Sequence, residues 1–299
     1  MVEKANENND LSSPTGGQAA VHLIECPRDA MQGWKHFIPT EKKIEYVNSL
    51  LKVGFNTIDF GSFVSPKAIP QMADTKEVIT KLEVRNTKLL AIVANIRGAE
   101  EAINYDKITY LGFPFSISQT FQKRNTNSTI KESLVTVDEI QNLCVKNDKK
   151  LVLYLSMAFG NPYRDKYNEE ILLQWADEMA KRKINIISLA DTVGVATPEQ
   201  INVVLKILIP KYEDIQFGVH LHSTTENWKE KIGAAYDAGC KRFDGALKGI
   251  GGCPMANDDL VGNINTEWLI SFMEEKAEQL SINKTALNKS LQLADEIFI

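Results

Sequence analysis

The chain has 299 residues and a formal net charge of −5, and 43% of its residues are hydrophobic, which is enough for a sizeable core. The acidic balance argues against a nucleic-acid-binding surface or a polybasic membrane patch, and no apolar run reaches the roughly 18 residues that a membrane span needs. The four cysteines form no CxxC pair, and residues 1–18 lack the features of a signal or transit peptide. We therefore expect free thiols in a cytoplasmic protein, with a disordered tail at 1–18 and one folded domain at 19–299.

Short β-branched runs alternate with amphipathic segments along the rest of the chain. The runs predict eight strands, at Val21–Glu25, Asn56–Phe60, Leu89–Val93, Ile108–Gly112, Lys150–Leu155, Ile184–Leu189, Ile215–His220 and Arg242–Asp244. Helical periodicity predicts a helix after each strand and one more near the C-terminus, at about 41–53, 74–83, 98–104, 128–147, 167–182, 198–211, 226–239, 266–280 and 284–297. Eight such units without a nucleotide-binding Gly-rich first turn favour a single-domain α/β protein, a TIM (β/α)8 barrel with a C-terminal helical extension.

Polar residues at the predicted strand ends point to a metal site. Active groups of a parallel barrel cluster where strands end, and two of the chain's four histidines, His220 and His222, close the seventh strand. Residues i and i+2 of a strand share one face, so both imidazoles can bind one cation. Asp29 follows the first strand and Asn263 the eighth. This set has no thiolate and suits Mg²⁺ or Mn²⁺ best, with Co²⁺ or Zn²⁺ as further options; the alternative is a pair of structural histidines.

Other strand-end groups have both a catalytic and a structural interpretation. The guanidinium fork of Arg28 suits a developing enolate or a carboxylate, or else forms a structural ion pair, and Gln32 either binds substrate or caps its loop. Asp59 and Asp191 end apolar strands. A buried carboxylate at such a position either takes part in proton transfer or forms a salt bridge or a helix cap. Cys253 lies in a Gly-rich loop, where its thiol could be a general acid or merely fill a turn.

The chain resembles hydroxymethylglutaryl-CoA lyases of the DRE-TIM metallolyase superfamily in six stretches that occur in the family's order. They are PRDAMQ at 27–32, SFVSPKAIPQM at 62–72, SLADTVGVATPE at 188–199, GVHLH at 218–222, GIGGCPMA at 249–256 and GNINTE at 262–267. The GGCP loop is the most lyase-specific of them. The resemblance implies a barrel with a bound divalent cation that cleaves 3-hydroxy-3-methylglutaryl-CoA to acetyl-CoA and acetoacetate, a reaction of leucine degradation and ketone body formation.

The resemblance also implies roles for individual residues. Arg28 matches the arginine that stabilises the enolate, Asp191 the acid near the substrate hydroxyl, and Cys253 the loop cysteine. Either Cys253 or a metal-polarised water would protonate the enolate. Either Asp191 or His220 would take the proton of the tertiary hydroxyl. Lys35 matches a basic residue near the phosphates of the acyl-CoA, and the family favours a homodimer. The metal ligands match by position the set inferred above: Asp29, His220, His222 and Asn263.

Three parts of the sequence depart from the family's usual pattern. The first motif usually reads GPRDGLQ, whereas Cys26 precedes Pro27 in this chain and Ala30-Met31 replace Gly-Leu. Asp59 stands where a glutamate is usual, and its shorter side chain reaches less far. Ser223 follows the second histidine where an aspartate is common. These changes affect which substrate the resemblance implies more than they affect the metal site.

Two alternatives remain open at the level of sequence. Isopropylmalate-, citramalate- and homocitrate-synthase-like enzymes share the RD and HxH elements but run a related Claisen condensation forward, and a 3-hydroxyacyl-CoA lyase of relaxed specificity is close to them. A barrel that binds an acyl-CoA or a metal without turnover is a different class of protein. Retention of nearly every polar strand-end group argues against this second alternative.

Overall fold

The computed structural model of the chain describes residues 20–252 and 261–299, in which eight parallel strands close into a barrel. Each strand pairs with its neighbours in sequence order, and β8 pairs with β1 to close the ring. A short antiparallel strand, β9, adds to β7 at Gly262–Asn263. The eight barrel strands are β1 His22–Glu25, β2 Thr57–Ser62, β3 Lys88–Ile92, β4 Ile108–Ser116, β5 Lys150–Ser156, β6 Ile186–Asp191, β7 Gln216–Ser223 and β8 Arg242–Gly245.

Helices surround this barrel, so the predicted fold is confirmed. Those that follow the predicted pattern are α2 Thr40–Leu50, α3 Thr75–Thr80, α4 Ile96–Ala102, α6 Ile130–Lys146, α7 Glu169–Lys181, α8 Pro198–Lys211, α9 Trp228–Asp237, α10 Thr266–Glu275 and α11 Lys284–Ile297. Capping boxes begin α6 at Thr129 and α8 at Thr197, because each threonine and the residue three positions on satisfy each other's backbone N–H groups. Among the described residues, no helix has both the length and the apolar character needed to cross a membrane.

Two short helices were not predicted from the sequence. Helix α1, Pro27–Gln32, begins directly after β1 with proline in its first turn, and α5, Gln119–Thr126, lies between the Ser118 N-cap and the left-handed Asn127. Proline fits a first helical turn because its missing N–H has no partner there. Both helices are too short and too polar for an apolar stripe, so hydrophobic periodicity does not detect them. Helix α1 matters for function because it carries Arg28 and Asp29 at the barrel mouth.

The lower barrel is filled by side chains, which leaves its upper end for a site. An inner apolar cluster of Leu90, Ile92, Val152, Tyr154 and Ile186 is separate from the larger core between strands and helices. The fully buried Arg242 side chain passes so close to Gly218 that a Cβ there would lie 2.8 Å from it. Glycine is therefore required at this point of β7, two residues below His220.

The C-terminal helix α11 packs along α2 and ends beside the loop between α1 and α2. Asn283 caps its start, and the Phe298 ring beyond its end meets Trp34 edge-on, with 5.3 Å between ring centroids. The carboxylate of Asp295 forms an ion pair with Lys248, in the turn after β8. The predicted C-terminal extension thus supports two loops at the mouth of the barrel.

Glu25 is a buried carboxyl group that the sequence did not mark. Its two oxygens accept hydrogen bonds from the Leu247 backbone N–H at 2.9 Å and from the Thr266 hydroxyl at 2.6 Å. Burial raises the pKa of Glu25 from 4.5 to about 8, although both hydrogen bonds oppose the rise. The side chain therefore keeps its proton in the folded protein at neutral pH.

This raised pKa predicts how stability depends on pH. Between the unfolded and folded pKa values the folded state holds one more proton, so the free energy of unfolding should fall as pH rises through that window. We expect Glu25→Gln to remove about 2–4 kcal/mol of this decline, measured by denaturant unfolding at the two ends of the window. Glu213→Gln, at the exposed Glu213, serves as the control. An undiminished decline in the Glu25 variant would contradict the assignment.

Candidate active site

The structure brings the four predicted metal ligands together at the mouth of the barrel. Asp29 lies in the first turn of α1, and the ligand atoms of Asp29, His220 and His222 all lie within 4.8 Å of one another. Asn263 pairs with His222 across β7 and β9, and its amide nitrogen donates to Asp29 Oδ2 at 2.8 Å. Metal ligation through the Asn263 oxygen therefore needs the amide turned over, which exchanges its oxygen and nitrogen positions.

The two imidazoles are oriented as cation ligands. Nδ1 of His222 donates to the Thr192 carbonyl oxygen at 3.1 Å, and Nδ1 of His220 lies 3.2 Å from Asp244 Oδ2. Since each acceptor fixes the proton on Nδ1, the lone pair of each ring is on Nε2. Nε2 of His222 is buried and has no hydrogen-bond partner, and a bound cation would supply that partner.

The electrostatics of the cluster also fit a divalent cation. Burial raises the pKa of Asp29, but Arg28 and the two imidazoles outweigh this, so the pKa is lowered and the group is a carboxylate. Burial and the neighbouring His220 lower the pKa of His222 to about 4. Burial also lowers the pKa of His220, but the carboxylate of Asp244 more than offsets this and raises it. Asp29 and His222 are thus in the forms that bind metals, an ionised carboxylate and a neutral imidazole.

Arg28 is held in a fixed orientation beside this cluster. Its Nε and Nη2 donate to Asp59 Oδ2 at 3.0 and 2.5 Å, and its Nη1 donates to Asp29 Oδ1 at 3.0 Å. Burial disfavours the charged guanidinium, but the two carboxylates more than compensate and raise the pKa of Arg28. Burial raises the pKa of Asp59 to about 6, against the opposing effect of Arg28. Arg28 thus forms the predicted ion pair and also lines the central cavity, so the two interpretations coexist.

The remaining predicted residues have different positions. Gln32 donates to Asp29 Oδ1 at 2.7 Å, accepts from Arg28 Nη1 at 2.9 Å and lines the cavity. Lys35 is exposed and is not among the residues that line the cavity. Cys253 lies outside the described residues, so its role stays a prediction from the sequence, as does the disordered tail at 1–18.

Asp191 is not brought into the cluster. In the register of β6 with β7, Ala190 pairs with His220 and Asp191 with Leu221, so Asp191 faces away from the imidazoles. Its Oδ2 binds Lys231 Nζ at 2.7 Å, with both side chains almost fully buried. This placement favours the salt-bridge interpretation over a catalytic base.

Lys231 connects this salt bridge to the metal-ligand strand. Its Nζ also donates to the backbone oxygens of His222 at 2.8 Å and Gly194 at 2.9 Å. Asp191 Oδ1 accepts from the backbone N–H of Ala196 at 3.0 Å. The pair therefore holds the loop after β6 against β7, and it acts on the site by positioning His222.

A cavity of about 370 Å³ opens over the cluster, a size typical of small-molecule sites. Polar and apolar side chains both line it. The charged and polar ones are Arg28, Asp29, Gln32, Arg124, Asn125, Thr126, Ser156, Thr192, His220 and His222; the apolar and aromatic ones are Val64, Ala68, Ile69, Ile92, Ala94, Pro114, Phe121, Tyr154 and Ala190.

Sequence reasoning missed three residues of this site. Asp244 ends a predicted strand, and the criterion that selected Asp59 would have selected it as well. Tyr154 packs edge-on against His220, with 5.9 Å between ring centroids, and strand periodicity marks it only as buried. Lys231 lies in α9, where nothing in the sequence distinguishes it from a surface lysine.

Comparison with known proteins agrees with this geometry. The HMGL-like family model matches residues 21–294. A hydroxymethylglutaryl-CoA lyase of Bacillus subtilis is 32% identical over 250 residues, 83% of each chain, and the cytoplasmic 3-hydroxy-3-methylglutaryl-CoA lyase of Rattus norvegicus is 31% identical over 99% of this chain and 84% of its own. The structure of an HMG-CoA lyase from Acinetobacter baumannii in complex with coenzyme A and 3-methylmalate superimposes with a TM-score of 0.86 and 32% identity, covering 93% of this chain and 91% of that one. The chain therefore belongs to the HMGL-like family and is an enzyme of the lyase class.

Proposed function

We propose that the protein cleaves 3-hydroxy-3-methylglutaryl-CoA to acetyl-CoA and acetoacetate by a retro-Claisen step. The observation that carries the proposal is the cluster of Asp29, His220 and His222 with the Arg28 guanidinium beside it in the lining of the cavity. The names of the relatives support the substrate. The reaction needs an oxygen-binding cation where the hydroxyl group lies and a positive charge where the enolate forms; the cluster offers ligands for the first, and Arg28 is the second.

Asp29, His220, His222 and Asn263 would hold the cation. When bound, a divalent cation supplies a Lewis acid for the substrate oxygens, and the donor set favours Mg²⁺ or Mn²⁺, with Co²⁺ or Zn²⁺ as alternatives. The chain's own contribution is to keep Asp29 ionised and both Nε2 lone pairs available through Asp244 and the Thr192 carbonyl.

Arg28 is proposed to bind the enolate oxygen of the departing acetyl-CoA. Its guanidinium is already oriented by Asp59 and Asp29, so little reorganisation accompanies the reaction. Gln32 adds a hydrogen bond from the same helix. The proton of the tertiary hydroxyl passes to His220, which lines the cavity, in preference to Asp191, whose carboxylate is bound to Lys231. Because Nε2 of His220 has a single lone pair, it cannot hold the cation and accept this proton at once; Asp29, His222 and Asn263 would hold the cation while His220 accepts the proton.

The proton that completes acetyl-CoA is proposed to come from Cys253, on the loop after β8. The acyl-CoA itself would enter past Arg124, which lines the cavity and whose guanidinium lies 4.7 Å from the centre of the Tyr163 ring. Lys35 remains the proposed partner of the CoA phosphates.

We also propose a cytoplasmic homodimer that acts in leucine degradation and ketone body formation; the cytoplasmic name of the rat relative supports the location.

The decisive experiment is acetoacetate release from 3-hydroxy-3-methylglutaryl-CoA by the purified chain. We expect turnover with Mg²⁺ or Mn²⁺, loss of turnover with a chelator and recovery when metal is returned. A parallel assay follows condensation of acetyl-CoA with 2-oxo acids. Absence of cleavage, or condensation in its place, would overturn the proposal in favour of a synthase-like enzyme.

A further inference from the structure

His220 also belongs to a second group of potential ligands, and its Nδ1 lies 3.2 Å from Oδ2 of Asp244 in that group. Cys26, His220 and Asp244 each offer a donor atom, and these three atoms lie within 4.8 Å of one another. Asp29 and His222 are not part of this group. His220 therefore belongs to two clusters, one of nitrogen and oxygen donors and one that includes a thiol.

The side chains of the second cluster have unused bonding capacity. The Sγ of Cys26 makes only a weak contact, 3.9 Å from the Ile24 carbonyl oxygen. Asp244 has a fully buried side chain, and its Oδ1 has no hydrogen-bond partner. A buried carboxylate oxygen without a donor carries an energetic penalty, which a bound cation would relieve.

The chemistry of the cluster differs from that of the first one. A thiolate, an imidazole and a carboxylate suit a soft or borderline ion, whereas Mg²⁺ prefers oxygen. Zn²⁺ binds sulfur at about 2.3 Å and nitrogen or oxygen at about 2.0–2.2 Å. Nδ1 of His220 and Oδ2 of Asp244 are 3.2 Å apart, which already suits two ligands of one ion. The cation would displace one proton from the Cys26 thiol to solvent.

We propose that Cys26, Nδ1 of His220 and Asp244 form a second cation site, which takes a soft divalent ion such as Zn²⁺ or Cd²⁺ and inhibits the enzyme. Inhibition follows from the tautomer. A neutral imidazole has one lone pair, so a cation on Nδ1 leaves a proton on Nε2 and removes His220 from the first cluster. The inhibitory part rests on the proposed function; binding at Cys26 does not.

Two substitutions at Cys26 test the site. Cys26→Gly removes the whole side chain, and Cys26→Ser keeps its shape without the sulfur. Cys240 is an equally buried thiol in contact with the carbonyl oxygens of Phe217 and Arg242, away from the cluster, and Cys240→Ser is the matched control.

The test titrates metal-free full-length protein with Cd²⁺ and follows the ultraviolet charge-transfer band of a cadmium–thiolate bond. A Cys253→Ser background excludes the thiol of the loop after β8. We expect one equivalent of Cd²⁺ to produce the band, both Cys26 variants to lose it and Cys240→Ser to retain it. Asp244→Asn should weaken Cd²⁺ binding at least about tenfold. Circular dichroism confirms that each variant is folded.

Two results would overturn the site: no thiolate band in the folded protein, or a band that survives in both Cys26 variants. A competition arm follows Mn²⁺ release by electron paramagnetic resonance. With the second site present, Cd²⁺ should displace Mn²⁺ at lower concentration than in Cys26→Ser, and equal displacement would refute the inhibitory role. If the protein binds Cd²⁺ at Cys26 but binds no Mn²⁺ and cleaves no substrate, the proposed function fails while the second site stands.

Discussion

Replacing His222 with alanine should lower the affinity for Mn²⁺ at least about 100-fold, equivalent to about 2.7 kcal/mol, and acetoacetate release should fall with it. The side chain is buried, its Nδ1 is bound to the Thr192 carbonyl oxygen, and its Nε2 has no protein partner. Removing it deletes a ligand whose orientation is already fixed, and Asp29 then has one imidazole beside it instead of two.

Isothermal titration calorimetry with Mn²⁺ measures the first effect, and turnover at saturating Mn²⁺ measures the second. Because the pKa of His222 is lowered to about 4, the lost side chain is neutral near pH 7 and breaks no ion pair. The folded structure should therefore survive, which thermal unfolding checks. His36→Ala is the matched control, because His36 is exposed. Unchanged Mn²⁺ affinity in the His222 variant would exclude this cluster as the metal site.

Arg28→Lys is expected to reduce kcat by about 10²–10³-fold, close to the effect of losing one oxyanion-stabilising donor, while Mn²⁺ affinity stays within a few-fold. Lysine retains the positive charge, so Asp59 and Asp29 keep a cationic neighbour. It cannot reproduce the planar fork that contacts Asp59 through Nε and Nη2 and Asp29 through Nη1. The charge survives the substitution, whereas its fixed position does not.

The comparison with Arg28→Met separates orientation from charge. Methionine would leave the two buried carboxylates of Asp59 and Asp29 without their cationic partner, and breaking such a pair costs about 3–5 kcal/mol of stability. Arg97→Lys, on the exposed face of α4, controls for the generic effect of the exchange. Steady-state kinetics with calorimetry decide the outcome: a kcat equal to that of the unchanged enzyme in Arg28→Lys would assign Arg28 a structural role alone.

The sequence alone predicted the barrel and the residue types at its mouth. Hydrophobic runs that alternate with helical periodicity are local properties, and each strand and helix found in this way is present. The HxH spacing correctly predicted that the two imidazoles lie on one face of β7, because residues i and i+2 of a strand share a face in every sheet. Proximity of Asp29, His220 and His222 then followed from the common end at which parallel strands finish.

Contacts between distant residues were decided by the tertiary structure. Asp191 and Asp59 look alike in sequence, yet Asp191 pairs in register with Leu221 and meets Lys231, whereas Asp59 meets Arg28. Strand periodicity separates the two faces of a strand but does not say which face lies inside the barrel. Which face of a strand lies inside the barrel depends on its register with the two neighbouring strands in the closed ring.

The partners of the two imidazoles were likewise decided by packing. Asp244 belongs to β8, the Thr192 carbonyl follows β6, and both converge on β7 only because the barrel brings these strands side by side. For Cys26 the sequence predicted only a free thiol, and its proximity to His220 and Asp244 arises because β1 pairs with β8. Local periodicity therefore determined the elements and their exposed ends, whereas closure of the barrel determined which side chains meet, because those contacts join residues far apart in the chain.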